Sequence, residues 1–415
     1  MTTAIIITFC ILLLIAYIFD LTSAKTKIPS VIVLLIMGWA LQQATNLLWI
    51  KIPDFSFILP VLGTVGLILI VLDGALELEF DQTKLKMINK SFLGALFNIL
   101  ISSVIIAFLF YFFSVNPFYK CLINAIPFAI ISSAIAIPSV VNFSAQDKEF
   151  IVYDSSFSDI IGITLFTFFV ENSVYNGFTF AKFGLQIVIM ILISLVAIII
   201  LSYLLNKIKH HIKFIPIILM IILIYSLSEI YHLPALIFIL LFGLFIGNFK
   251  KLIRYGKITR FNPAILDTEV RKFKDLTTEA TFLIRSLFFL ALGFLTDTSD
   301  ILNTQSLLLA IAIVIVIFVL RAIQLHFTYH KVIPLLFVAP RGLITILLFM
   351  SLSSFHQIPL VNNSLLIQVV LITAFILMFG IMFTDKRKKP KTKTPKPKPM
   401  SPDMDLLSKI NPDDL

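Results

Sequence analysis

Apolar residues in this chain come in long runs separated by short polar stretches. Many runs reach the eighteen or so residues at which a helix crosses a bilayer. Thirteen spans are predicted, at about 3–22, 28–47, 56–79, 91–114, 119–143, 150–171, 181–205, 213–230, 233–249, 277–297, 302–327, 331–353 and 361–384. The first lacks the basic start and small-residue exit of a cleaved leader and is expected to be a retained helix. Two spans are interrupted, the fifth at Ser132, Ser133 and Pro138 and the twelfth at Pro340, Arg341 and Gly342. An odd number of spans allows two six-helix units joined by a linker helix, so spans 1–6 and 8–13 would be inverted repeats. Paired broken helices at corresponding places in two such halves point to a site at the bilayer midplane. The expected fold class is an all-α polytopic membrane protein whose broken fifth and twelfth spans cross.

Composition agrees, with 59% of the 415 residues hydrophobic and 13% charged. No water-soluble arrangement buries so much apolar side chain, which excludes a soluble enzyme. There is no phosphate-binding loop and no catalytic triad, and neither enzyme activity nor a cofactor is expected. The two cysteines, Cys10 and Cys121, offer no disulfide framework, and the six histidines (His210, His211, His232, His326, His330, His356) stand mostly at run ends without carboxylates at ligand spacing. No metal is expected beyond a transported cation. The net charge of +10 lies in loops and the tail, so it marks topology and not nucleic-acid binding. One set of alternate loops carries eighteen basic residues, among them Lys84, Lys90, Lys207, Arg254 and Lys274; the other carries Lys51, Lys120 and Lys182. The positive-inside rule then puts the amino terminus outside and the carboxyl terminus in the cytoplasm. Residues 1–385 form one transmembrane domain in an inner, cell-surface type of membrane. Residues 386–415 open with lysine and proline at a density that forms no core, and are expected to be disordered and to touch anionic lipid.

Ionisable groups within the bilayer cost roughly 2.5–3.5 kcal/mol each, so those present need a reason. Asp159 lies nine residues into span 6, roughly 14 Å along the helix and near the middle of the hydrocarbon layer. Ser158 adjoins it, Ser155 shares its face, and Gly162 leaves room for a neighbouring backbone; carboxylate and hydroxyls together suit a hard monovalent cation or a proton. Asp154 is five residues earlier, about 140° around the helix, and so has a different role. A buried ion pair with an arginine of the second half is the simplest, with Arg321 the better partner and Arg341 the second choice. Asp73, in span 3, is either a second carboxylate of the site or an interfacial residue. Glu77, Glu79 and Asp81 follow it at the membrane edge. Glu229 ends span 8 as an interfacial cap or an accessory group, and Arg285 faces the core or a cavity. Ser132 and Ser133 are accessory candidates at the break.

These segments resemble the monovalent cation:proton antiporter superfamily, which includes the sodium/proton exchangers. The resemblance runs along most of residues 1–385. It is carried by LILIVLDGALELEFDQTKL, DSSFSDIIGITLF, YSLSEIYHLPALIFILLFGLFIGN, LIRSLFFLALGFLTD and FVLRAIQ followed by APRGLITILLF. It implies an ion-carrying aspartate at Asp159, a bracing acid–arginine pair at Asp154 and Arg321, an accessory acid at Asp73 and a hydroxyl ligand at Ser155. It also implies a homodimer and an elevator-like movement of a core bundle against a dimerisation bundle. Two positions depart from the pattern. Ser158 stands where Asn or Asp usually precedes the carrier, and IISSAIAIPSV replaces the usual Thr-Asp-Pro at the fifth-span break. The latter looks more like the potassium-efflux branch. The expectation is an antiporter exchanging Na⁺ for H⁺, with K⁺ or Li⁺ as alternatives. An ion channel and a non-transporting membrane receptor are the rivals from other classes.

Overall fold

The computed structural model of the chain describes residues 10–11, 13–18, 30–48, 58–78, 82–172, 176–207, 214–231, 233–248, 263–328 and 331–384. Most of the first predicted span, Glu79 and Asp81, four of the histidines (His210, His211, His232, His330), residues 250–262 of the basic loop and the tail lie outside the described residues. Among those described there is no strand. The helices are α1 (Ser30–Leu47), α2 (Ile58–Glu77), α3 (Leu85–Phe113), α4 (Phe118–Ala129), α5 (Ser133–Ser139), α6 (Ala145–Glu171), α7 (Gly177–Lys207) and α8 (Phe214–Ile230). They continue with α9 (Ala235–Gly247), α10 (Pro263–Phe294), α11 (Thr298–Ile301), α12 (Thr304–Phe327), α13 (Val332–Leu335), α14 (Leu343–Ser351) and α15 (Asn363–Thr384). Nine helices among the described residues are long and apolar enough to cross a membrane, counting α4 and α5 as one, and α8 and α9 are shorter apolar helices. On α7, Leu185, Val188, Leu192, Val196 and Ile199 are each more than half exposed. A continuous aliphatic face of that kind has lipid, not water, as its solvent.

The helices sort into two packing groups. In one, α3 lies against α4, α6 and α12, α5 lies on α6, and α15 lies on α12. In the other, α1 lies on α10, and α2 lies between α9 and α10, with α7 and α8 against α9. The groups meet where α2 packs against α6, α5 and α14. Glycine permits the tightest crossings of the second group. A Cβ on Gly38 would fall 2.2 Å from the Leu290 carbonyl oxygen, and one on Gly293 would fall 2.3 Å from that of Leu35. With no driving force from water, such backbone-to-backbone approach is how helices associate in lipid.

One boundary differs from the sequence expectation. Helix α10 begins at Pro263 and not near 277. The stretch 263–276 holds six charged residues, which removes it from any apolar-run criterion. Phe273 within it is nonetheless fully buried, so the helix continues as an amphipathic one beyond its apolar part.

Both interruptions are real breaks, and they meet. Between α4 and α5, residues 130–132 are extended; the twelfth span has one irregular turn at α13 and resumes as helix at Leu343. The Ser132 amide donates to the Pro340 carbonyl at 2.9 Å, so the two unwound stretches join through backbone. In a bilayer such groups have no water to turn to, and non-helical backbone survives there only when protein satisfies it.

Candidate ion-binding site at the crossing of the broken helices

The site is assembled on α6. Its start is fixed by Ser144, whose hydroxyl accepts from the Asp147 amide at 3.1 Å in an N-cap. Two turns further in, the helix carries Asp154, Ser155, Ser158 and Asp159, each 1% exposed. The angular separation of the two aspartates sends them to different partners, Asp154 to α12 and Asp159 to α5.

Asp154 receives the Arg321 guanidinium at 2.5 Å, with both side chains inaccessible to solvent. Gln324, one turn beyond Arg321, closes a ring. Its amide nitrogen donates to the other Asp154 oxygen at 2.6 Å, and its amide oxygen accepts from Arg321 at 2.8 Å. The Phe150 ring lies 5.8 Å from the guanidinium carbon. Sequence reasoning missed Gln324. Its signal is an uncharged amide inside the apolar run of span 11, on the face of the arginine.

Arg341 does not pair with Asp154, contrary to the second choice made from sequence. It is fully buried and donates to backbone carbonyls: Phe128 at 2.6 Å, Ala129 at 3.2 Å and Ala339 at 2.9 Å. Phe128 and Ala129 end α4, where carbonyls lack intrahelical partners and carry partial negative charge. The arginine is thus the C-terminal cap of a half-helix inside the membrane.

Asp159 meets the first turn of α5. The Ser133 hydroxyl donates to its Oδ2, and the Ser133 backbone N–H also faces the carboxylate. Its Oδ1 is buried with no hydrogen-bond partner among the described residues, and the same holds for the Ser132 hydroxyl. Ser158 accepts from the Ile131 amide at 2.9 Å and so anchors the extended stretch. Ser155 donates to the Ile151 carbonyl of its own helix at 2.7 Å, which leaves its lone pairs available. Gly162 makes room for a side chain and not for a backbone, since a Cβ there would fall 2.3 Å from Ile130.

Asp73 and Arg285 belong to the other bundle. Asp73 is partly buried on α2 and accepts from the Thr278 hydroxyl at 2.6 Å. Further along the same face of α10, Thr281 donates to the Leu69 carbonyl at 3.2 Å and Arg285 to the Ala134 carbonyl at 3.1 Å. The Arg285 bond runs from one bundle to the other, and it lands on the residue after Ser133. Arg285 is also near enough to Asp73 to act on it electrostatically. Glu229 is exposed at the end of α8, on the bundle that does not hold Asp159, and is not brought to the site. Among the described residues no cluster of three or more His, Cys, Asp or Glu side chains could hold a resident metal.

The described charges are therefore committed in sets: Asp154 with Arg321, Arg341 with the end of α4, Arg285 with α5. On α6, Asp159 pairs with hydroxyl and amide donors instead of an arginine and keeps an open oxygen.

The model of a family described as sodium/hydrogen exchanger, transmembrane, matches residues 10–384. The chain belongs to the sodium/hydrogen exchanger family. Among solved structures this exchanger is similar to the sodium proton antiporter MjNhaP1 from Methanocaldococcus jannaschii at pH 8. The identity is 19%, with 92% of this chain and 96% of that chain covered and a TM-score of 0.62. An electron-microscopy structure of the same antiporter gives 19% identity, 92% and 94% coverage and a TM-score of 0.60. At that identity the likeness establishes a shared fold. No protein of curated function matches the exchanger. Family membership makes it a multi-pass membrane protein of the cation/proton antiport class.

Proposed function

We propose that the protein exchanges Na⁺ for H⁺ at Asp159, one ion for one proton, in alternating access between the two bundles. The observation that carries this is the unpartnered, buried Oδ1 of Asp159 at the crossing of the broken helices. A bare carboxylate oxygen in a dry core demands a cation or a proton, and both cannot occupy it together. Occupancy by either leaves the same net charge, which is the condition for competitive exchange. Ser133 orients the carboxylate, and Ser132 and Ser155 supply oxygens for a partly dehydrated ion. The Asp154–Arg321–Gln324 ring and the Arg341 cap hold the frame on which the carrier sits. Asp73 stands where an ion would enter from the lysine-rich side, which the positive-inside rule makes cytoplasmic. The second bundle is the surface through which two copies would pair as a homodimer, and the tail 386–415 would lie at the cytoplasmic headgroups.

The Ser132–Ser133 pair also favours a second reading, K⁺/H⁺ exchange, because an all-hydroxyl crossing imposes less field on the ion than a carboxylate there would. Reconstitution in liposomes under an imposed pH gradient separates the two. Dequenching of a pH dye is followed as Na⁺, K⁺ or Li⁺ is added, and the expected order of response starts with Na⁺. Asp159→Asn should abolish the response while the protein still inserts and purifies. Exchange at the wild-type rate in that variant would remove Asp159 as carrier. A current that does not saturate would point to a channel, and no ion-dependent response in wild type would point to a receptor.

A further inference from the structure

Ser156 is used by nothing described so far. It lies on α6 between Ser155 and Phe157, is 7% exposed, and its hydroxyl has no hydrogen-bond partner among the described residues. Hydroxyls inside membrane helices ordinarily return to the carbonyl four residues back, as Ser155, Ser194 and Ser228 do here. Ser156 declines that bond and points out of its helix across the seam between the bundles. A Cβ built on Gly74 of α2 would meet the Ser156 Oγ at 3.5 Å. The hydroxyl therefore sits against the backbone next to Asp73, whose carboxylate accepts from Thr278. On its own helix it is three residues before Asp159, so the two side chains are neighbours on adjoining faces. An unsatisfied buried hydroxyl costs about 1–3 kcal/mol, and a site that tolerates the cost has a use for the group.

We propose that Ser156 is a transfer ligand, an oxygen that receives the cation between the partly exposed Asp73 and the buried Asp159. A cation leaving water loses its hydration oxygens one at a time, and a hydroxyl offering two lone pairs replaces one of them where no carboxylate reaches. Placement on the seam makes Ser156 available to the cation while it passes between the bundles, and Asp159 remains the carrier. Ser156 thereby governs how readily the ion is captured and how well Na⁺ is separated from K⁺, without entering the proton stoichiometry. This rests on the carrier role proposed for Asp159.

The test uses the full chain in proteoliposomes, with Na⁺, then Li⁺ and K⁺, as probes. Ser156→Ala should raise the half-saturating Na⁺ concentration by roughly tenfold, the worth of one oxygen bonded to a charge, while the maximal rate stays within about twofold. Ser156→Thr keeps the hydroxyl and should return the half-saturating concentration to within about threefold of wild type. Neither variant should lose thermal stability in detergent, and Ser156→Ala, which removes the unsatisfied hydroxyl, should be at least as heat-resistant as wild type. An unchanged half-saturating concentration in Ser156→Ala overturns the proposal. So does a shift shared by Ser156→Thr and accompanied by lost stability, which would mark a packing role. Asp159→Asn, run alongside, separates the two inferences: if it is inactive and Ser156→Ala is normal, only the transfer ligand is refuted, whereas an active Asp159→Asn refutes the carrier itself.

Discussion

Asp154, Arg321 and Gln324 divide two opposite charges and one amide so that each touches the other two. Removing one member leaves a charge stranded in a dry environment, at a cost of about 3–5 kcal/mol, whereas removing both charges leaves a polar gap that costs less. Asp154→Ala and Arg321→Ala should therefore each lower the fraction of protein that stays monodisperse after heating in detergent. The double variant should recover part of the loss, though not all, because Gln324 then lacks its partners. Equal heat resistance of wild type and all three variants would show that the ring contributes nothing to the fold. The need for such a ring was half legible in the sequence. A charge in an apolar run announces itself through its cost, and the five-residue spacing already separated Asp154 from Asp159. Gln324, Thr278 and Ser156 did not announce themselves. Uncharged polar side chains are tolerated in membrane helices by back-bonding to their own carbonyls, so their presence carries no warning until a structure shows which of them leave their helix.

Between residues and bundles stand the elements, and the broken ones were marked by chemistry that local sequence does carry: proline without an amide donor, hydroxyls and glycine amid aliphatic side chains. What local sequence does not carry is the closure of one break by the other. The carbonyls that end α4 are satisfied by an arginine more than two hundred positions away, and the Ser132 amide by Pro340. Arg341→Met should consequently unpair three carbonyls at once and leave the protein markedly less heat-resistant than any single hydroxyl variant, at about 1–3 kcal/mol per group. Arg341→Lys should fall between, since a compact ammonium cannot reach all three acceptors in the fork geometry of a guanidinium. Melting of detergent-solubilised protein ranks the three; identical midpoints would mean that water or lipid headgroups replace the arginine. The amphipathic start of α10 has the opposite lesson. Its charges hide a helical period that Phe273 completes.

At the scale of the molecule, two bundles share a seam, and few charges are free to change state across it. An aspartate that carries either a proton or a monovalent cation has the same charge in both loaded forms, and the crossing offers it hydroxyls, not a second acid. Exchange should therefore be electroneutral. Membrane potential acts on any net charge moved at about 2.3 kcal/mol per 100 mV, so an electrogenic cycle would respond steeply to voltage. Proteoliposomes clamped with valinomycin and K⁺, once K⁺ is shown not to be carried, should give the same Na⁺-driven proton flux at zero and at inside-negative potential. A several-fold change in rate would show that a second group, Asp73 foremost, takes part in the proton count. The contact between Ser133 and Asp159 has a consequence beyond one cycle. In the proposed cycle, charge balance would rest on Asp159 and its paired neighbours, whereas discrimination among ions would rest on Ser132, Ser133, Ser155 and Ser156, none of which ionises. The two properties are thus written in separate residues. A lineage carrying this fold can drift from one alkali metal to another by exchanging hydroxyls, and its energy coupling stays as it was throughout.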